Sequence, residues 1–359
     1  MKTQKKHVND FGNDSVPGLV LRVSVPFMFA QFVNVMYSIV DRIYIGNIPA
    51  AGADSLAGAG VCAPIITLLS SFATLIGIGG SILFSMRLGQ NDKKDAEKIL
   101  GNCFSTLILF SAALTLIFLL SKGMLLHWFG ASDVTYPYAN TYLTIYTCGT
   151  FFALLSMGMN YFITAQGYPL LGMVTTLIGA ILNIILDPLF IFVFHMDIAG
   201  AAVATVLAQL ASCIFVLCVL YRKSMPVPLH LRRPDPVLVK RILALGFSPF
   251  LILATDSIII IAMNAVLQYH GGPGYGDTLI TCATIVQSYM MLITSPCWGL
   301  PAVPSRLSAL ITVRTSRSVS GKSCSACLCC VSASLPLCFW FPGSCPRHLQ
   351  VFLPIMQNT

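Results

Sequence analysis

Asn183 and Asp187 interrupt "AILNIILDPLFIFVF", an apolar run over 180–194, and they lie four residues apart. On a helix that spacing puts an amide and a carboxylate on one face. Asp41 interrupts a second apolar stretch, "VMYSIVDRIYIG", with Asn34 seven residues before it and Tyr37 between them on the same face. An aspartate at the bilayer centre costs about 2.5–3.5 kcal/mol on insertion scales, so acids kept there generally face a polar cavity. Such a carboxyl either takes up a proton or stays ionised beside a cation such as Na⁺. Both make it a switchable charge, which is what an ion-coupled site requires. Pro188 removes a backbone donor and frees a carbonyl one turn back as a further ligand. The plainer alternative places both acids near helix ends in wet interface, since Arg42 adjoins Asp41 and a proline follows Asp187.

The elements that hold these residues follow from composition. The 359 residues are 56% hydrophobic and 9% charged, with mean hydropathy +0.81. A soluble domain carries about 25% charged residues, so this chain lacks the polar surface to sit in water. Apolar runs of bilayer-spanning length, about 20 residues, recur along most of it. The fold class is an all-α polytopic membrane protein. Helices are expected over roughly 17–46, 55–86, 97–121, 136–160, 163–190, 198–221, 237–268 and 278–300. The net charge of +8 does not point to nucleic acid, because the basic residues cluster in short loops, notably 86–98 and 221–241. Lys/Arg-rich loops mark the cytoplasmic side, which predicts a multi-pass protein of the plasma (inner) membrane with a cytoplasmic N-terminus. The N-terminal "MKTQKKHVNDFGNDS" shows no signal-peptide pattern.

An internal repeat organises the helices. "PFMFAQFVNVMYSIV" from Pro26 aligns with "PFLILATDSIIIIAM" from Pro249, and "DSLAGA" from Asp54 meets "DTLITC" from Asp277 at the same offset. The expected division is a cytoplasmic tail over 1–16, a six-helix N-lobe over 17–221 and a cytoplasmic linker over 222–236. A partial C-lobe of helices 7 and 8 follows over 237–300, and an aberrant tail over 301–359. Repeated transporter halves of this kind hold their sites between or within the repeats. In this alignment Asn264 takes the place of Asp41, while Asp256 is a separate intramembrane acid of the second lobe.

The tail differs in kind from the rest. Six of the thirteen cysteines fall between Cys324 and Cys345 beside many serines, and helical periodicity disappears. "CSACLCC" superficially suggests a metal or disulfide cluster. Reading the codons from Pro301 onward in a shifted frame permits "GGTQPSLGFNYGA", whose Gly-Gly-Thr echoes Gly79, Gly80 and Ser81 of the first repeat. A frameshifted tail is therefore the expectation, with no metal site beyond Na⁺ at Asp41, Asn183 and Asp187.

The motifs "YSIVDRIYIG", "SLAGAGVCAPI", "GIGGS", "NIILDPLFIF", "IAGAAVATVLAQ" and "GFSPFLI" resemble multidrug and toxic compound extrusion (MATE) transporters over about 17–300. That resemblance implies twelve helices in two six-helix lobes and, when intact, a monomer. It implies secondary active export of cationic or amphipathic small molecules in exchange for H⁺ or Na⁺, with no other cofactor. The prokaryotic branch with an acidic N-lobe places its ion site at positions matching Asp41, Asn183 and Asp187. Asn34, Tyr37, Asn160 and Thr205 then line the cavity, and Pro26 is the bend point of helix 1, where ion binding shrinks the cavity. Another branch has an acid in helix 7 close to Asp256.

Three rival readings accompany this one. "GYGD" over 274–277 fits the G-x-G-D signature of intramembrane aspartyl proteases, but it adjoins a loop sequence, and the chain is not expected to be an enzyme. A lipid-linked oligosaccharide flippase of the same superfamily would need cavity cations for pyrophosphate. The third is a truncated product that transports nothing.

Overall fold

The computed structural model describes residues 16–49, 51–272 and 275–292. Its elements are α1 (Val16–Gly46), α2 (Gly52–Gly89), α3 (Lys93–Trp128), α4 (Tyr136–Ala165), α5 (Pro169–Pro188), α6 (Asp197–Leu220) and α7 (Pro236–Gly271). An eighth helix, α8, runs over 275–292. Among the described residues, six helices are long and apolar enough to cross a membrane by length and composition: α2, α3, α4, α5 with its continuation to Val193, α6 and α7. The chain is an all-α polytopic membrane protein with a complete six-helix lobe and the first two helices of a second. The expected N-terminal tail, the end of helix 8 and the cysteine-rich segment after 300 lie outside the described residues.

Local chemistry sets the helix ends. Asp92 caps α3 by accepting from the Asp95 N–H at 3.1 Å, and Asp235 caps α7 by accepting from the Val237 N–H at 3.0 Å. Several helix ends differ from expectation. Helix 4 does not stop at 160: it runs to Ala165, turns through Gly167 at φ +93°, and α5 starts at Pro169 rather than 163. "AQGYP" supplies the left-handed glycine and the N-terminal proline that make this the break. Helix 3 does not stop at 121, because "SKG" continues the helix and Lys122 Nζ donates to Thr144 Oγ1 at 2.7 Å. Helix 5, expected to end at 190, continues past Pro188 to Val193. It widens into a π-helical turn, Leu189–Val193, in which Phe194 N–H reaches the Leu189 carbonyl at 3.0 Å.

Within the lobe α2 packs on α3 and α4, α4 on α6, α5 on α6, and α1 on α5. Two apolar clusters fill it. One gathers Ile45, Val61, Ile65, Leu69, Leu143 and Leu154, and takes in Ile280 of α8. The other gathers Phe84, Leu100, Leu107, Phe162 and Val216, and takes in Ile242 of α7. The second-lobe helices are thus seated on the first. α2 and α7 approach at Gly79 and Gly246, where a methyl on Gly246 would collide with the Leu75 carbonyl oxygen.

The connection between the lobes is not a loose tether. Met225, Val227 and Leu229 are buried in alternation, the period of an extended chain with one face on a core. Gln166 Oε1 accepts the Val227 N–H at 3.0 Å, Leu220 O accepts the Leu229 N–H at 2.9 Å, and Asn102 Oδ1 accepts the Asp235 N–H at 2.5 Å. The segment forms a strap across the ends of α3, α4 and α6.

Candidate functional site

Polar residues at helical spacing line the interior of the six-helix lobe. α4 presents Asn160 and Thr164, α5 presents Gly172, Thr176, Gly179 and Asn183, and α6 presents Thr205, Gln209 and Ser212. Each set repeats at three- and four-residue steps, one stripe per helix. With Gln31, Asn34 and Tyr37 of α1 and Ser70 of α2 they enclose a cavity of about 380 Å³. Among the described residues, no Asp, Glu, Lys, Arg or His side chain lines it. Its walls hydrogen-bond one another: Asn160 Nδ2 donates to the Gly172 carbonyl at 3.2 Å and Gln209 Nε2 to Tyr146 Oη at 3.2 Å.

The acids stand at one end of this cavity, behind its wall. Asp187 is fully buried and Asn183 almost so. The Asn183 amide donates to Asp187 Oδ1 at 3.0 Å and to Thr205 Oγ1 at 3.3 Å, and Thr205 in turn donates to the Ala201 carbonyl at 2.9 Å. The carboxyl groups of Asp41 and Asp187 lie within hydrogen-bonding reach of each other, with the Tyr37 and Tyr142 phenols close by. Two carboxyls hydrogen-bond only when a proton lies between them. Asp41 Oδ1, Asn183 Oδ1 and Asp187 Oδ2 are buried with no hydrogen-bond partner among the described residues. All three are acceptors, so the cluster has capacity for a proton or a hard cation.

Five of the residues expected from sequence, Asn34, Tyr37, Asn160, Asn183 and Thr205, line the cavity, while Asp41 and Asp187 adjoin it. Pro26 is buried within α1, one turn before cavity-lining Ala30. The second-lobe candidates are elsewhere. Asp256 is half-buried on α7, and Asn264 is buried with its carbonyl against Gly130 on the α3–α4 turn. Neither lines the cavity. Asp277 Oδ2 accepts from Ser132 Oγ at 2.8 Å. Sequence reasoning missed Gln209, Ser212 and Tyr146, although Thr205, Gln209 and Ser212 form a legible i, i+4, i+7 stripe.

Six helices around an uncharged polar cavity, with two more opening a second repeat, define a lobed helical membrane protein. Residues 26–189 match the MatE family model. The multidrug export protein MepA of Staphylococcus haemolyticus is 27% identical over 266 residues, covering 73% of this chain and 58% of that protein. MepA of Staphylococcus saprophyticus is 25% identical over 296 residues, covering 81% and 64%. The chain therefore spans about three fifths of the length of these relatives. The solved structure of a complex of the MATE multidrug transporter DinF-BH superposes at TM-score 0.85 with 28% identity, covering 98% of this chain and 78% of that one. A MATE in the bent conformation, at 24% identity and TM-score 0.76, covers 90% of this chain and 71% of that one and shares the fold. Over residues 26–189 the chain is similar to the MatE family, and its fold is similar to that of solved MATE transporters.

Proposed function

We propose that this chain supplies the ion- and drug-binding lobe of a secondary active multidrug exporter, which exchanges amphipathic or cationic small molecules for a cation. The observation that carries this reading is a pair of carboxyls, Asp41 and Asp187, within hydrogen-bonding reach at the end of a cavity whose described wall holds no other charge. The pair takes the cation, with Asn183 orienting Asp187, and the cavity takes the drug. A proton is the first reading, because two neighbouring buried carboxyls can share one. Sodium is the second reading, carried by the three unpartnered oxygens of Asp41, Asn183 and Asp187. The named relatives are multidrug exporters, which supports the substrate class. A flippase holding pyrophosphate is disfavoured by a lining without Lys or Arg among the described residues. As coupling residue, Asp256 stands second to this pair.

The test uses cells expressing the gene in the frame that restores "GGTQPSLGFNYGA" after residue 300. Asp41→Asn and Asp187→Asn should each lower gradient-driven dye efflux at least tenfold while membrane insertion stays normal. Imposing a pH difference or a Na⁺ difference separately identifies the ion. Wild-type efflux from both variants would move the ion site elsewhere. Without the frame change, the chain is expected to export nothing.

A further inference from the structure

Arg42 follows Asp41 on α1, so their side chains leave the helix about 100° apart. Asp41 turns into the six-helix lobe toward Asp187. Arg42 turns the other way and reaches the second lobe: its Nη1 donates to the Thr284 carbonyl at 2.8 Å and to Ser288 Oγ, both on α8. Ser288 Oγ itself donates to the Thr284 carbonyl at 2.8 Å, so one helical turn of α8 forms a closed acceptor for the guanidinium. Thr284 and Ser288 are almost fully buried. A second polar contact, Ser132 to Asp277, joins the α3–α4 turn to the start of α8.

We infer that Arg42 is a positioning residue that makes α8 follow the outer half of α1, so that cation occupancy at the neighbouring carboxyl pair changes the spacing of the two lobes. The inference rests on the ion site proposed above. The same turn of α1 is held on one side by the Asp41–Asp187 contact and on the other by the Arg42–α8 contacts. A rigid helical turn cannot shift against α5 without carrying its guanidinium along. The partners are a backbone carbonyl and a hydroxyl, not a carboxylate, so the link depends on close geometry rather than on long-range attraction. Arg presents several donors in a fixed fork, whereas Lys reaches the same acceptors as a point charge.

The experiment uses the full chain in liposomes. Probes carried by unnatural amino acids at Asn47 and Tyr289 report the α1–α8 distance, with and without proton or Na⁺. Carbodiimide labelling of Asp41, read by mass spectrometry, reports occupancy of the carboxyl pair under the same conditions. In wild type the cation should change both labelling and distance. Arg42→Gln and Ser288→Ala should keep the labelling response and lose at least half of the distance response, and Arg42→Lys should restore part of it. An unchanged distance response in Arg42→Gln, or none in wild type while labelling responds, overturns the role of Arg42 alone. Labelling of wild-type Asp41 that ignores both ions overturns the ion site, and this inference with it.

Discussion

Asn183 uses both hydrogens of its amide, one on Asp187 and one on Thr205, and these contacts are not equal. The Thr205 bond is between neutral groups, and a net hydrogen bond of that kind contributes about 0.5–1.5 kcal/mol. Removing the amide instead leaves a buried carboxyl oxygen without its donor, which costs about 1–3 kcal/mol. The lost donor had favoured the ionised carboxyl, so Asn183→Ala should strengthen proton binding by about tenfold or more, and Thr205→Val should change it by only a few-fold, when binding is followed as pH-dependent thermal stabilisation in detergent. Equal effects would mean that Thr205 meets the cation itself. The acids and Asn183 were legible in the sequence because each stands out against an apolar background of high transfer cost. Gln209, Ser212 and Ser70 were not, because serine, threonine and glutamine occur in membrane helices for packing and only their shared cavity distinguishes them. Arg42 was legible as a neighbour of Asp41, but its direction was not, since a partner far along the chain decides it.

At the scale of elements, the strap between the lobes shows which contacts matter. Arg232 pairs with Glu97 at 3.0 Å, and His230 approaches the same carboxylate at 3.4 Å, both partly exposed. Exposed ion pairs are worth about 0–1 kcal/mol. Gln166 instead satisfies the buried Val227 N–H, and an unpaired buried donor costs about 1–3 kcal/mol. Gln166→Ala should raise the rate of proteolytic cleavage within 222–235 by about tenfold, whereas Glu97→Gln should change it less than threefold. A larger effect from Glu97→Gln would make the strap an electrostatic clasp. The sequence shows this segment as a proline-rich linker. Its alternation of Met225, Val227 and Leu229 is the one hint that it is packed, and prolines at 226 and 228 fit an extended path. Helix ends were misread for a related reason. "SKG" looks like a stop, yet in α3 a lysine finds Thr144, and past the expected end of α5 at 190 the chain continues in a widened turn.

For the whole molecule, the repeat was the most informative pattern, since it sets Pro26 and Pro249 inside α1 and α7 and Asp54 and Asp277 in the first turns of α2 and α8. It does not show how the halves meet. That contact depends on Gly79 and Gly246, two small residues whose importance appears only when the helices touch. One consequence of the uncharged cavity wall concerns voltage. If the carboxyl pair exchanges a single proton, it returns one elementary charge to the cell in each cycle, and the wall adds none. Exporting a monovalent cation is then electrically silent, driven by the pH difference alone. Exporting a neutral amphiphile carries one net charge inward, so each 100 mV of inside-negative potential adds about 2.3 kcal/mol to its driving force. Collapsing the potential with potassium and valinomycin at a fixed pH difference should leave accumulation ratios of a monovalent dye unchanged and lower those of a neutral compound about fiftyfold per 100 mV. A loss of about fiftyfold per 100 mV for the monovalent dye as well would require a second proton to cross in each cycle.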